Sequence, residues 1–328
     1  MKGRHSARGS AARPRAVLAV VSSGVVAIGV IVAFLTIHGS GAPGSAPAAA
    51  STPPPASAGS HQVTSATAES APTRSTRPAG HGAHADPFGS AATSYLSNRT
   101  GTIAAAVYDL GTGQTWLLGA GTPQDEASVV KLDVLETLLA ERSDGGGLSA
   151  SDQSLAQQMI EDSDNDAATS LWYEVGGAAK IRSFNAEVGL TRTSPSPCVV
   201  CAGFPWPGWG LTTTVPADQI TLLRELVTPG ALLTAAQRDY ALSLMENVTA
   251  AQRWGVSGGV PAQVTVALKN GWLPLDSSDT DWQINSVGWI FGQRRDYLMA
   301  VLTTGNPSEQ YGIDTVSQLG AFVWAAMK

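Results

Sequence analysis

The sequence predicts an α+β domain in residues 89–328, an antiparallel sheet flanked by helices and carrying an inserted helical lobe. Apolar residues form strand-like runs near both ends of this segment, at 102–120 and at 264–303. Between these ends, from 128 to 245, they recur every three to four residues, which is typical of helices. Strands that precede and follow a run of helices are best explained by one sheet with helices packed against it.

Turn and cap signals delimit the individual elements. Gly111-Thr-Gly113 separates the two strands of a hairpin, three glycines at 145–147 end the first helix, and Pro216 begins a later one. The predicted strands cover 102–110, 114–120, 264–272, 285–291 and 297–303. The predicted helices cover 128–142, 151–160, 166–174, 182–187, 216–226, 234–245 and 316–327.

The N-terminal part of the chain predicts a membrane-linked protein. Residues 1–15 are basic, and the uncharged run 16–37 is long enough to cross the roughly 30 Å hydrocarbon core as a helix. Positive charge on one flank predicts a cytoplasmic N-terminus and an extracytoplasmic domain on a single-pass anchor. The small residues at 45–50 also permit cleavage and secretion. Residues 38–88, rich in Gly, Ala, Ser, Pro and Thr, predict a disordered tether.

Composition excludes several classes of function. The formal net charge of −6 argues against a nucleic-acid partner. The five histidines, His5, His38, His61, His81 and His84, all precede the predicted domain, which removes Ser-His-Asp chemistry and histidine zinc sites. No metal, nucleotide or haem motif is present, so we expect no cofactor and no metal, and a monomeric catalytic domain.

Two cysteines, Cys198 and Cys201, lie in a proline-rich segment. Outside the cytoplasm they are expected to form a local disulfide that fixes a loop. Free thiols, or a redox or metal function, are the alternatives. A thioredoxin-type site requires this spacing at a helix start after a strand, and the flanking prolines favour a loop.

Ser128 and Lys131 form the first candidate catalytic cluster. Residues at i and i+3 share one helix face, and a serine in the first turn keeps an unpaired backbone N–H. Ser128 could then serve as nucleophile and as half of an oxyanion hole, with Lys131 as a base if burial or a neighbouring cation lowers its pKa. A chance match at an ordinary helix start is the alternative.

Two further clusters follow along the chain. In Ser163-Asp164-Asn165 the functional interpretation gives Ser163 a proton relay and Asn165 an amide for Lys131 and the substrate, while a helix N-cap is the alternative. In Lys269-Asn270-Gly271, on a predicted strand, Lys269 binds a substrate carboxylate and Gly271 leaves room for a close approach. The Trp272 N–H then completes the oxyanion hole. A solvated lysine on an edge strand is the alternative.

The ordered set Ser-x-x-Lys, Ser-Asp-Asn and Lys-x-Gly resembles the penicillin-recognising serine hydrolases, and is most similar to class A β-lactamases in a superfamily with the D-alanyl peptidases. The resemblance covers residues 95–328 and implies an acyl-enzyme on Ser128. It implies catalytic roles for Ser128, Lys131, Ser163 and Lys269. It also implies substrate contacts at Asn165, Asn270, Gly271 and Trp272.

The chain departs from that family pattern in three places. Residues 188–217 contain no Asp or Glu, whereas class A enzymes place a deacylating glutamate in this loop. The stretch from Ser128 to Ser163 is short, which predicts an open cleft, and Asn270 replaces a Thr or Ser. Without the loop base the acyl-enzyme should persist.

Three functions remain open from the sequence. The first is an extracytoplasmic serine hydrolase that opens a β-lactam or a related amide or ester. The second is a D-alanyl-D-alanine peptidase or transpeptidase that acts on cell-wall peptides. The third is a non-catalytic wall-binding domain on the same fold. The expected partner is therefore a small molecule or a peptidoglycan-derived peptide.

Overall fold

The computed structural model describes residues 84–119, 121–142, 147–203, 205–230, 232–275 and 280–328. The predicted basic segment, anchor and nearly all of the tether lie outside these ranges. No helix in the described ranges is both long and apolar enough to span a bilayer.

The helices are α1 Ser90–Leu96, α2 Val130–Glu141, α3 Ala150–Glu161, α4 Asn165–Glu174, α5 Gly177–Val188, α6 Pro216–Val227, α7 Ala235–Glu246 and α8 Glu309–Ala326. The strands are β1 Thr102–Asp109, β2 Thr115–Leu118, β3 Gln124–Asp125, β4 Thr213–Thr214, β5 Thr265–Pro274, β6 Trp282–Gly292 and β7 Arg295–Asn306.

The main sheet has five antiparallel strands in the order β2-β1-β7-β6-β5. The first hairpin pairs with the last, so the ends of the folded segment meet in the middle of the sheet, as the α+β prediction requires. Gln293 and Arg294 connect β6 to β7 with φ of 51° and 65°. A two-residue turn with both φ angles positive matches the right-handed twist of the strands that it joins. Strand β5 is left at the edge of the sheet.

The two faces of the sheet bury separate apolar cores. Ala106, Ala267 and Leu298 face the helical lobe, where they pack with residues of α2, α4 and α6. Val107 and Leu268 face the opposite side, which α1 and α8 cover. Adjacent residues on a strand point to opposite faces, so each long strand contributes to both cores. The sheet is therefore covered by helices on both faces, which the alternation of apolar residues could not show by itself.

Helix α2 is buried on every side and lies in the centre of the lobe. Each residue from Val130 to Leu139 is buried, including Asp133 and Glu136. The predicted helix at 128–142 is correct in place but not at its start, because Ala127–Val129 form a separate 3₁₀ turn. Ser128 thus lies in a tight turn ahead of α2 rather than inside its first turn.

Other element boundaries also differ from the prediction. Helix α8 begins at Glu309 rather than at 316, because Ser308 caps it by accepting a hydrogen bond from the Tyr311 N–H. At the other end, Phe88 is buried and His84 Nε2 lies 3.6 Å from Asp109 Oδ2. Packing against the sheet thus includes residues that the sequence analysis assigned to the tether.

Candidate active site

Hydrogen bonds from strand β6 hold the turn that carries Ser128. Asn285, in the middle of β6, donates from Nδ2 to Asp125 O at 2.8 Å and to Glu126 O at 3.0 Å. Gln283 Nε2 donates to Asp125 O at 2.6 Å. These bonds fix the backbone before Ser128, where Ala127 has a φ of 50°. Such a left-handed conformation in a non-glycine residue persists only when its surroundings impose it.

Gly271 on β5 lies directly against this turn. A Cβ atom added to Gly271 would lie 2.7 Å from Ser128 N and 2.7 Å from Glu126 O. No side chain fits there, so only glycine allows the edge strand to reach the backbone of the candidate nucleophile. The sequence analysis predicted a close approach at Gly271. Trp272, the next residue, lines the same cleft as Ser128.

Ser163 lies between the two lysines. Its hydroxyl is 2.9 Å from Lys269 Nζ and 3.2 Å from Lys131 Nζ, and both lysines donate to it. Lys131 also donates to Ser163 O at 2.5 Å and to Asn165 Oδ1 at 2.7 Å. Ser163 has a φ of 57°, which turns its carbonyl and its hydroxyl toward the same amine. The three sequence clusters thus converge, although they are distant along the chain.

Both lysines are fully buried, which favours their neutral forms. Burial lowers the pKa of Lys269 to about 7. Burial, and then the charge of Lys269, lower the pKa of Lys131 well below its usual range. The alternative for Lys269 in the sequence analysis was a solvated lysine on an edge strand. Because Lys269 is fully buried, that alternative is wrong. A buried amine that loses its proton near neutral pH can serve as a base.

Within the described residues, no hydrogen bond joins Ser128 Oγ to Lys131 Nζ. The amine of Lys131 is instead bound to Ser163 and Asn165, and its Nζ lies 5.1 Å from the ring centroid of Trp209. Contacts between a nucleophile and its base often tighten only once substrate is bound. The site thus contains the residues that a lysine-assisted serine nucleophile requires, but Ser128 and Lys131 are not hydrogen-bonded to each other in this structure.

In the Ser163-Asp164-Asn165 cluster, Asp164 caps a helix and Asn165 lines the cleft. Asp164 is the N-cap of α4 and accepts from the Ala167 N–H at 2.7 Å, so the capping interpretation describes this residue. Asp164 is only half-buried. Asn165 lines the cleft beside Ser128 while its Oδ1 accepts from Lys131. Its amide nitrogen is thereby directed away from the lysine and is available to a ligand.

The Asn270 side chain does not enter the cleft. Its Nδ2 donates to Gln252 O at 2.7 Å and to Trp254 O at 3.1 Å, on the face of the sheet opposite to Lys269. Arg253 donates to Glu246 O and to Val266 O. The structure therefore brings together seven of the eight predicted catalytic and substrate-binding residues and leaves Asn270 outside.

An aromatic loop forms one wall of the cleft. The cleft is lined by Ala127, Ser128, Asn165, Trp206, Pro207, Trp209, Gly210, Trp272 and Leu273. The rings of Trp206 and Trp209 are 6.2 Å apart, and Trp209 Nε1 donates to Thr169 Oγ1 at 3.2 Å. This wall stands where the family's acidic loop would be expected.

Cys198 and Cys201 are joined by a disulfide that packs on the same loop. A Cβ atom added to Gly208 would lie 2.5 Å from Cys201 Sγ, and the Gly208 N–H donates to Cys198 O at 2.8 Å. Gly208 lies between Pro207 and Trp209, both of which line the cleft. The disulfide thus supports the aromatic wall from behind.

Replacing both cysteines by serine should loosen this wall. Removing a cross-link that closes so short a loop is expected to cost about 2 kcal/mol in the free energy of unfolding. Urea denaturation of the Cys198→Ser/Cys201→Ser variant, with and without reductant, measures this loss. Reductant should destabilise only the wild type. Equal stability of the two proteins, unaffected by reductant, would contradict a supporting role.

Three buried carboxyl groups beside α2 were not anticipated. Glu126, Asp133 and Glu136 are fully buried, and both side-chain oxygens of each glutamate have no hydrogen-bond partner within the described residues. Burial, followed by the charge of Asp133, raises the pKa of Glu126 and of Glu136 well above the usual range. Burial raises the pKa of Asp133 to about 7, although Asn185 donates to it at 2.9 Å. Burial thus favours the neutral form of each of these carboxyl groups.

Among the described residues, no group of three or more His, Cys, Asp or Glu side chains is placed so that it could hold a metal ion.

The residues that sequence reasoning missed are Asn285 and Gln283, which position the turn. Polar residues at alternate positions of an apolar strand were the one available signal for Gln283 and Asn285.

Comparison with known proteins identifies the family of this chain. Residues 136–327 match the model of a family described as the beta-lactamase enzyme family. "Putative lipoprotein LppW" of Mycobacterium tuberculosis is 29% identical over 210 residues, which are 61% of this chain and 62% of that protein. The chain thus matches about three-fifths of the length of these curated relatives.

Solved structures show the same fold. A class A β-lactamase from Mycobacterium abscessus is 23% identical with a TM-score of 0.60, over 71% of this chain and 96% of that one. A β-lactamase from Chitinophaga pinensis is 18% identical with a TM-score of 0.62, over 72% of this chain and 97% of that one. The protein belongs to the beta-lactamase enzyme family and has the α+β fold of class A β-lactamases.

Proposed function

We propose that this protein is a serine hydrolase that forms an acyl-enzyme on Ser128 and cleaves a β-lactam or a related amide or ester. The observation that supports this most strongly is that Lys131 and Lys269 both donate to Ser163, and that Lys131 also donates to Asn165, which lines the cleft with Ser128. The reaction follows from what each group can do. Membership of the beta-lactamase enzyme family supports the same class of chemistry.

In the first half of the reaction, Ser128 Oγ bonds to the acyl carbon. Its proton passes to a neutral lysine amine, and the N–H groups of Ser128 and Trp272 stabilise the oxyanion. The bond to the leaving group then breaks, and the Ser163 hydroxyl relays a proton to the departing atom. In the second half, water attacks the acyl carbon, the acid is released and Ser128 regains its proton.

Deacylation is expected to be the slow half. No Asp or Glu occurs in residues 188–217, and the loop that they form carries the aromatic wall and the disulfide instead. A water molecule in the acylated site thus lacks the carboxylate base that class A enzymes supply. This absence favours a second candidate, a penicillin-sensitive D-alanyl peptidase, whose test is release of D-alanine from a cell-wall stem peptide.

The extracytoplasmic location is part of the proposal. Residues 16–37 form the uncharged run with a basic flank on one side only, which favours an anchor with the domain outside. The name of the mycobacterial relative, which describes a lipoprotein, is consistent with a membrane-linked extracytoplasmic domain. Fractionation of cells, with protease added outside, should degrade the domain; protection of the domain in intact cells would contradict this location.

The function predicts a kinetic burst. Mixed with excess 4-nitrophenyl acetate, the full-length protein should release close to one equivalent of 4-nitrophenolate rapidly, followed by a slower steady rate. The Ser128→Ala variant should give no burst, whereas Ser170→Ala, which removes an exposed hydroxyl on α4, should keep it. An identical burst in the Ser128→Ala variant, or release no faster than in buffer for the wild type, would reject the proposal.

The pH dependence of the burst should reflect the buried lysines. Because the base Lys131 must be neutral, and because burial and then the charge of Lys269 lower its pKa well below the usual range, the burst rate should rise with pH and level off well below pH 10. A rate that continues to rise toward pH 10 would instead indicate an ordinary solvated lysine.

A further inference from the structure

The cleft presents hydroxyl, amide and aromatic groups to a ligand, but no charge. Of the nine residues that line it, Ser128 and Asn165 are the only ones with polar side chains besides the indole N–H groups. No Lys, Arg or His is among them. A substrate carboxylate is usually recognised by a cationic side chain or by several hydrogen-bond donors. The lack of a cationic side chain among these nine residues therefore affects which substrates the cleft can bind.

The two nearby lysines are already committed to protein acceptors. The amine of Lys131 has Ser163 O, Ser163 Oγ and Asn165 Oδ1 as its hydrogen-bond partners. Lys269 donates to Ser163 Oγ and Asn270 O. Both side chains are 0% exposed. Neither lysine is among the residues that line the cleft.

The other candidates for a carboxylate contact are occupied as well. Both hydrogens of the Asn270 amide are donated to backbone carbonyls, and Asn270 is on the far face of β5. The guanidinium of Arg253 lies in a different cavity, with Glu246 and Val266. A carboxylate placed in the cleft would thus lose hydration without gaining a counter-charge, which is unfavourable.

We infer that the preferred acyl donors of this cleft are uncharged and carry an apolar, aromatic or short aliphatic acyl group. This inference rests on the proposed function and narrows its substrate class. The rings of Trp206 and Trp209, with Pro207 and Leu273, supply the apolar surface against which such a group packs. The Asn165 amide supplies one directional contact. Anionic β-lactams and peptides that end in a free carboxylate are poorer donors.

The test uses two aryl esters that differ only in charge. 4-Nitrophenyl 4-methylbenzoate and mono-4-nitrophenyl terephthalate have the same shape, but a methyl group in the first replaces a carboxylate in the second. The rigid ring keeps that carboxylate away from the ester, so it cannot assist cleavage. Burst rates of the full-length protein are measured for both esters and divided by the spontaneous hydrolysis rates in buffer.

The corrected rate for the methyl compound should exceed that for the carboxylate by about tenfold or more, since an unpaired charge is placed against apolar surface. Equal rates, or a faster reaction with the carboxylate, would overturn the inference. It is also overturned if neither aryl ester reacts while 4-nitrophenyl acetate still gives a burst. If no ester gives a Ser128-dependent burst, the proposed function itself fails.

A gain-of-charge variant provides an independent test. Leu273 is half-buried at the cleft, so Leu273→Arg brings a cation to the site, while Leu273→Gln brings a polar group of no charge. Leu273→Arg should raise the rate for the carboxylate relative to the methyl compound by about fivefold or more, and Leu273→Gln should leave that ratio unchanged. An unchanged ratio in Leu273→Arg would contradict the idea that a missing cation sets the preference.

Discussion

Replacing Gly271 by alanine is expected to lower the rate of acylation by about 100-fold or more, because a misplacement of about 1 Å can have that effect. The new methyl group would lie 2.7 Å from the backbone nitrogen of Ser128. Since that neighbour is backbone held by Asn285, the strand and the turn must separate. The separation displaces Ser128 from the Trp272 N–H and from the lysines.

The control for this variant is Gly89→Ala. A Cβ atom at Gly89 meets only Asp86 O, at 3.5 Å, which is an ordinary contact. Its burst rate should equal that of the wild type. Thermal denaturation monitors folding, and we expect Gly271→Ala to lose about 1–3 kcal/mol of stability while remaining folded. An unchanged burst rate in folded Gly271→Ala would show that β5 does not position the nucleophile.

The second large effect is a dependence of stability on pH that runs through Asp133. Burial raises the pKa of Asp133 from 3.8 to about 7, so between these values the folded state keeps a proton that the unfolded state releases. Stability then falls as pH rises, by about 1.4 kcal/mol per pH unit, or roughly 4 kcal/mol across the window. The Asp133→Asn variant should lack this contribution, because Asn185 can still donate to the new amide oxygen.

The measurement is the free energy of unfolding from urea denaturation between pH 4 and pH 8. Relative to the wild type, Asp133→Asn should gain stability steadily from pH 4 to 7 and then level off. Asp162→Asn, which changes an exposed carboxyl, should follow the wild-type curve. The buried lysines make the free energy of unfolding rise with pH, which is opposite to the effect of Asp133. Their contribution cancels when the variant is compared with the wild type at each pH. A constant difference between Asp133→Asn and wild type would show that Asp133 is ionised in the folded protein.

The sequence was sufficient for the class of fold and for most strands and helices, because apolar spacing reports which face of each element is buried. It could not place Asp133 and Glu136 correctly. An acid between apolar residues is expected to face solvent, but α2 has no solvent face, since the sheet and the other helices of the lobe enclose it. Complete burial is a tertiary property that local periodicity does not contain.

The candidate site was predictable where local pattern determined it. Gly271 was expected at a close contact because a glycine in a strand leaves room for one. Asn270 was misjudged, because its amide donates to the backbone carbonyls of Gln252 and Trp254, which lie far from it in the sequence. The hydrogen bonds of Asn285 to Asp125 and Glu126 join residues about 160 positions apart in the chain, and no local pattern reports them.

The central claim is that Ser128 is a nucleophile, and labelling with a fluorophosphonate probe tests it most directly. The full-length protein is treated with the probe, digested, and the modified residue is identified by peptide mass spectrometry. We predict a single adduct on Ser128 that is absent from Ser128→Ala, and its rate of formation should level off well below pH 10, because the pKa of the base Lys131 is lowered well below the usual range. An adduct on a different residue, or no adduct in the folded wild type, would contradict the account.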